Sequence, residues 1–187
     1  MPVASTMDFA KQVSGMPVFV MGTGERLGYV SDAIVDPVTG QLLGVTLQSR
    51  KGNEPAIATN DFIIASNAIL AAEGTLCERE DLRGERGRDA CTCSELLGAS
   101  VVTDQGEWVG RVIEIHISVE SPCTVYRVVE SRFQAFWGRG FYMSGNAPRA
   151  YSRSGARLIV PDAAAAQYSA SSPAEVINQR ELDQKGV

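Results

Sequence analysis

The sequence predicts an all-β protein of two small, highly curved antiparallel barrels in tandem, each opened by a short capping helix. An internal repeat, period-two apolar alternation and glycine-marked turns carry that prediction. Val20 onward aligns with Val102 onward at one offset of 82 residues, placing Gly24 on Gly106, Glu25 on Glu107, Gly28 on Gly110, Val30 on Val112 and Asp32 on Glu114. Past the next turn the same offset sets Leu43, Val45 and Leu47 against Val125, Arg127 and Val129. Matching glycines in matching acidic and apolar contexts indicate a duplicated unit. At 187 residues the chain suits two modules; one of roughly 70 residues buries only about 60% of its unfolded surface, which favours packing against a neighbour.

In chain order, Asp8 and Thr92 precede short helical stretches that end at Gly15 and Gly98, and Thr92 with Glu95 has capping-box spacing. Residues 18–20 lead into a turn at 22–24, and 27–35 form a β-branched strand. Asp36-Pro37-Val38-Thr39-Gly40 is a reversal: Asp accepts a local hydrogen bond, Pro fixes φ, and Gly supplies positive φ. The return strand 42–48 alternates as a half-buried sheet requires. In the second copy the turn is at 104–106, Glu120-Ser121-Pro122 replaces the glycine-closed reversal, and 124–130 returns. Gly28 and Gly110 lie inside strand patterns, where glycine marks a bulge or bend. Their spacing after Gly22 and Gly24, followed by a strand and not a helix, excludes a dinucleotide fingerprint.

These boundaries divide the chain into a first barrel (1–76), a charged linker (77–90), a second barrel (91–162) and a tail (163–187). The linker interleaves acids and arginines with almost no apolar content and reads as a solvated connector; its arginines are also suited to clamping a phosphate or carboxylate. In the tail, Ser172-Pro173-Ala174-Glu175 starts a helix that orders only if Val176, Ile177 and Leu182 rest on a barrel or another subunit.

The pattern LGYVSDAIVDPVTGQLLGVTL over 27–47, with the later apolar closing strand, resembles the PRC-barrel family. This family is known from the cytoplasmic domain of the photosynthetic reaction centre H subunit and from the ribosome-maturation factor of the small subunit. The resemblance covers 15–73 and, more loosely, 97–161, where the second copy lacks the DPxTG turn and carries an insertion at 133–140. It implies curled barrels of about five or six strands that serve as docking surfaces, with no shared catalytic set.

Chemistry is sparse. The lone histidine, His116, lies between Ile115 and Ile117, with no nucleophile or orienting acid placed beside it by the sequence. Asp32, Asp36, Glu114 and Glu120 suit solvated strand ends and turns. Cys77, Cys91, Cys93 and Cys123 are uneven in spacing; zinc held by them or with His116 is the alternative to buried apolar thiols. No catalytic, cofactor or metal residues are assigned. The net charge of −5 disfavours sequence-independent nucleic-acid binding, and the absence of a long apolar run or a signal-peptide pattern points to a cytoplasmic protein without membrane insertion. Phe133, Phe136, Trp137, Arg139, Phe141 and Tyr142 form an aromatic-arginine stretch absent from the first copy. It suits a partner-binding site, the filling of a barrel or inter-barrel contact, or base stacking. The expected role is a non-catalytic protein-binding adaptor or structural subunit that binds a protein partner or a second copy of itself; the alternatives are an RNA- or ribosome-associated module and a cytoplasmic-face accessory of a photosynthetic or other membrane complex.

Overall fold

The computed structural model describes residues 5–49, 54–83, 90–130, 140–162 and 170–184. They form the all-β architecture expected, as two curled sheets with few short helices. The first sheet runs β6 (Phe62–Ile64), β7 (Ile69–Ala71), β2 (Pro17–Val20), β3 (Arg26–Asp36), β4 (Gln41–Leu47), β5 (Pro55–Ala58) and β8 (Leu76–Glu78). The second runs β14 (Ala150–Ser152), β15 (Arg157–Val160), β10 (Ser100–Thr103), β11 (Trp108–Ser118), β12 (Thr124–Val129) and β13 (Phe141–Ser144). Apart from β8, which has no counterpart among the described strands of the second sheet, the order is the same in both, including the parallel pair β2·β7, matched by β10·β15.

The bulges are duplicated too. The β2·β3 register shifts between Val18 and Phe19 beside Gly28, and β10·β11 shifts between Val101 and Val102 beside Gly110. Further along, β3 shifts between Val30 and Asp32 and β11 between Val112 and Glu114. Each bulge adds twist and curls the sheet. Gly110 cannot carry a side chain: a Cβ there would sit 2.5 Å from the Val129 carbonyl oxygen.

The constant offset of 82 breaks twice: before the first turn it is 83, so that Phe19 and not Val20 stands where Val102 stands and Val20 falls on Thr103, and it breaks again in the return strand. Gly44 lies opposite Ile34, whereas Val125 lies opposite His116; Thr46 faces Asp32, whereas Arg127 faces Glu114. A second bulge, between Ile34 and Val35, leaves Leu43 without an opposite residue. The match of Leu43, Val45 and Leu47 to Val125, Arg127 and Val129 is therefore corrected: Gly44, Thr46 and Leu47 stand where Val125, Arg127 and Val128 stand.

The two sheets interlock. The N-terminal strand β1 (Thr6–Asp8) pairs with β11 of the second sheet, setting Met7 opposite Ile117 and Asp8 opposite His116. Reciprocally, β9 (Cys91–Thr92) pairs with β3 of the first, setting Cys91 opposite Val35 and Thr92 opposite Ile34. Each arm continues into a capped turn. In α1 (Cys93–Leu96), Thr92 and Glu95 complete a capping box, and the Leu97 N–H donates to the Cys93 carbonyl. The first arm forms a π-turn, Phe9–Val13, in which the Ser14 N–H reaches the Phe9 carbonyl. It holds one residue more, and its cap is stretched to match, with Gln12 Oε1 accepting the Asp8 N–H at 2.8 Å.

Where the hairpins meet, Gln41 bridges Cys123, its own repeat equivalent. The Leu42 N–H donates to the Pro122 carbonyl (3.0 Å) and the Thr124 N–H to the Gly40 carbonyl (2.9 Å). A residue paired with its own equivalent, flanked by two equivalent bonds, marks an approximate two-fold axis. One apolar core spans the axis, joining Met7, Phe9, Val35 and Leu42 to Cys93, Leu96, Ile117 and Tyr126. Full burial of each aliphatic or aromatic side chain contributes roughly 1.5–3 kcal/mol.

The segment read as a charged linker begins inside the first sheet. Cys77 of β8 lies opposite Ala56, Arg79 pairs with Glu54 at 2.8 Å, and Leu82 packs over Gly44. Residues 84–89 lie outside those described. The terminal helix α2 (Pro173–Gln184) docks on β12 and β13, burying Val176 and Ile177 against Cys123, Val125 and Tyr142; the Leu182 side chain is outside the described residues.

Candidate functional site

The turn residues singled out in the sequence sit where the chain reverses or bends. Gly24 and Gly106 have positive φ of 69° and 88°. Asp36 Oδ1 accepts the N–H groups of Val38 and Thr39 at 2.8 and 3.1 Å, across the turn that contains Pro37. Gly40 closes that turn at φ 66°, and a Cβ on it would meet the Gly145 carbonyl carbon at 2.3 Å. The first-half reversal is thus pressed against the second sheet.

Of the aromatic-arginine stretch, Phe133, Phe136, Trp137 and Arg139 lie outside the described residues. Phe141 and Tyr142 are half-buried on β13. Phe141 packs on the shared core, and Tyr142 packs under α2. Tyr142 also stands edge-on to His116 at 5.5 Å, with Arg127 over its ring at 5.9 Å.

His116 and Tyr142 open onto a polar node at the seam between the first arm and the second sheet. Glu114, His116 and Arg127 share the outer face of β11 and β12, opposite the core-facing Ile115, Ile117 and Tyr126. Lys11 Nζ lies 2.9 Å from Asp8 Oδ2 and 2.9 Å from Glu114 Oε1; Arg127 lies 3.2 Å from Glu114 Oε1, and His116 Nε2 lies 3.4 Å from Glu114 Oε2. Burial pushes the Glu114 carboxyl up, but hydrogen bonds from Lys11 and Arg127 outweigh it and hold the group below its ordinary value. Burial holds His116 below its ordinary 6.5, outweighing the pull of Asp8 and Glu114. Asp8 and Glu114 hold the Lys11 ammonium charged well above its usual range.

The first half holds a plainer version. There Asp32 accepts the Ser94 N–H at 3.3 Å and faces Thr46, with Ile34 and Thr92 in the places of His116 and Asp8. The two halves thus differ: one carboxylate accepting a backbone N–H in the first, a cluster of opposite charges in the second. Sequence reading left His116 without an acid partner. Glu114 two residues away on the same strand face was a visible signal; Asp8 and Lys11, more than a hundred residues distant, were not.

Among the described residues, Asp8, Glu114 and His116 form the one set of three possible metal-ligand atoms within 4.8 Å of each other. The Lys11 ammonium already bridges the two carboxylates where a cation would bind, and Arg127 adds a second positive charge. Lys11 and Arg127 supply the positive charge that a metal ion would otherwise bring to these carboxylates, so the node is an ionic clasp. The cysteines are free; Cys91, Cys93 and Cys123 are buried. Burial pushes the Cys91 thiol up to about 12 and the Cys93 thiol well above its ordinary value, suppressing the reactive thiolate.

The outer surface carries a second duplicated feature. Arg26 lies over the Tyr29 ring at 5.2 Å, with its guanidinium donating to the Tyr29 hydroxyl at 2.9 Å. At the equivalent positions the identities are exchanged: Arg111 lies over the Trp108 ring at 5.5 Å. Both rings are open to solvent, Tyr29 39% and Trp108 50% exposed. Position-by-position comparison of the repeats misses this pair, since neither residue matches its counterpart.

No helix among the described residues is long and apolar enough to cross a membrane. No curated protein matches the chain. The first half does have a recognised relation: residues 5–69, from the N-terminal arm to the start of β7, match the family model of the PRC-barrel domain.

Proposed function

We propose that the protein is a non-catalytic adaptor or structural subunit that binds a protein partner through the outer faces of its two sheets. The observation that carries this is the pair of solvent-open aromatic rings, Tyr29 and Trp108, each stacked with an arginine at equivalent positions of the duplication. Tyr, Trp and Arg dominate the binding energy of protein interfaces because they bring large, semi-rigid apolar area together with fixed donors. An Arg–aromatic pair also holds the guanidinium in place before contact, which reduces the ordering cost of association. The PRC-barrel domain matched by the first half is a non-catalytic module often involved in protein interactions. The absence of catalytic chemistry is supported by the protonated buried thiols and by a histidine held uncharged beside a carboxylate that Lys11 and Arg127 already occupy.

Affinity capture from native lysate with and without nuclease tests the proposal. Protein partners that persist through nuclease and are lost from a Tyr29→Ala/Trp108→Ala variant support it. Partners that vanish with nuclease assign the protein to RNA, and capture dominated by integral membrane proteins assigns it to the face of a membrane complex.

A further inference from the structure

The first sheet does not close on itself. Its terminal strand β6 pairs with β7 alone. Beside it, between the first sheet and the β11–β12 turn of the second, lies a groove of about 200 Å³ whose apolar lining includes Leu42, Phe62, Ile63, Ile64, Val119 and Pro122. Phe62 points into the core at 8% exposure and Ile63 points out at 56%. A groove lined by both runs along the strand's edge and not across one face, because successive strand residues alternate in direction.

The hydrogen-bond phase of β6 determines what that edge offers. The Ala72 N–H donates to the Asp61 carbonyl at 2.8 Å, and the Ala65 N–H to the Ala68 carbonyl at 2.9 Å. In an antiparallel ladder alternate residues bond to the same neighbour. Residues 61, 63 and 65 therefore direct their backbone groups to β7, while Phe62 and Ile64 turn theirs toward the groove. Such an edge templates another strand.

We propose that this groove takes an extended peptide segment of a partner protein, added as a strand beside β6, with an aliphatic side chain seated among Leu42, Val119 and Pro122. Strand addition uses main-chain bonds for affinity and alternate side-chain pockets for selectivity. A helix satisfies its own backbone groups and leaves those of Phe62 and Ile64 unmet. Among the described residues Glu120 is the one charged residue lining the groove, so the segment carries a lysine or arginine beside its aliphatic anchor.

The proposal rests on the adaptor reading and is tested separately from it. Phage-displayed random heptapeptides are selected on the intact protein, and the enriched sequences are synthesised with and without N-methylation at alternate amides. The expected result is enrichment of peptides with alternating aliphatic residues and a basic neighbour, slowed hydrogen exchange at the Phe62 and Ile64 amides, at least tenfold weaker binding after N-methylation in one phase, and a preference lost in Glu120→Lys. Failure to enrich any sequence above bare support, or binding unaffected by N-methylation and by Glu120→Lys, overturns the groove proposal. The adaptor reading is judged by nuclease-resistant protein partners and their dependence on Tyr29 and Trp108, neither of which lines the groove, so the two failures are distinguishable.

Discussion

Phe9→Ala removes an apolar anchor of the first arm, and its consequence should appear in the opposite half of the molecule. Phe9 is 2% exposed and sits in the core shared by both sheets, immediately after the strand that pairs with β11. Truncating a buried phenylalanine costs about 3–5 kcal/mol, as lost transfer energy plus a cavity. For a chain of 187 residues, a loss of 1 kcal/mol lowers Tm by roughly 2–4 °C, so the expected fall is about 6–20 °C. Because the arm is bonded to the second sheet, β11 amides opposite β1 should lose hydrogen-exchange protection along with those of β2 and β3, and calorimetry should keep a single transition. An unchanged transition for the second half, with destabilisation confined to residues 17–71, would refute the interlocked arrangement.

Three further outcomes follow from the geometry. Gly40→Ala should cost about 1–3 kcal/mol more than Gly24→Ala in denaturant melts, since both residues have φ near +67° but only Gly40 meets backbone where its Cβ would sit; equal losses would remove the close contact at the two-fold axis. Stability should fall on acidification: His116 takes its proton less readily when folded, so stability declines as pH drops below about 6.5, and the lowered Glu114 adds a loss as pH falls from about 4.3 through its folded value. His116→Ile, which copies Ile34 at the equivalent place, should flatten the limb between pH 7 and 5, and an unchanged slope there would contradict the burial argument. Ile177→Ala, at a side chain 1% exposed, should cost enough contact to undock α2, because an isolated helix of this length is marginal; exchange protection should vanish over 173–184 while β11 stays protected, and retained protection would show that Ile177 is not the anchor.

The duplication was legible because glycines and turn residues carry local geometric demands that survive divergence. Gly24, Gly28, Gly106 and Gly110 fixed the alignment, and the Asp36 turn and both caps were visible for the same reason. A one-residue insertion inside an apolar strand has no such signature: Leu42, Leu43 and Val45 alternate acceptably in either register, so the slip at Leu43 emerged only from the pairing. Arm exchange was hidden for a different cause. A short strand such as β1 states which face is apolar but not which sheet it will join, and Thr6–Asp8 is compatible with either. The ionic clasp combined both effects, its Glu114 and His116 readable as one strand face and its Asp8 and Lys11 supplied by the exchanged arm.

The most direct measurement of the adaptor assignment is the affinity of a nuclease-resistant partner for the wild type, Tyr29→Ala, Trp108→Ala and the double variant, by titration calorimetry. Both rings are surface residues whose loss should leave the melting temperature nearly unchanged. A hot-spot aromatic contributes about 2 kcal/mol or more, so each single variant should bind roughly 30-fold more weakly and the double variant beyond the range of the titration. Equal affinity across all four proteins would contradict the account.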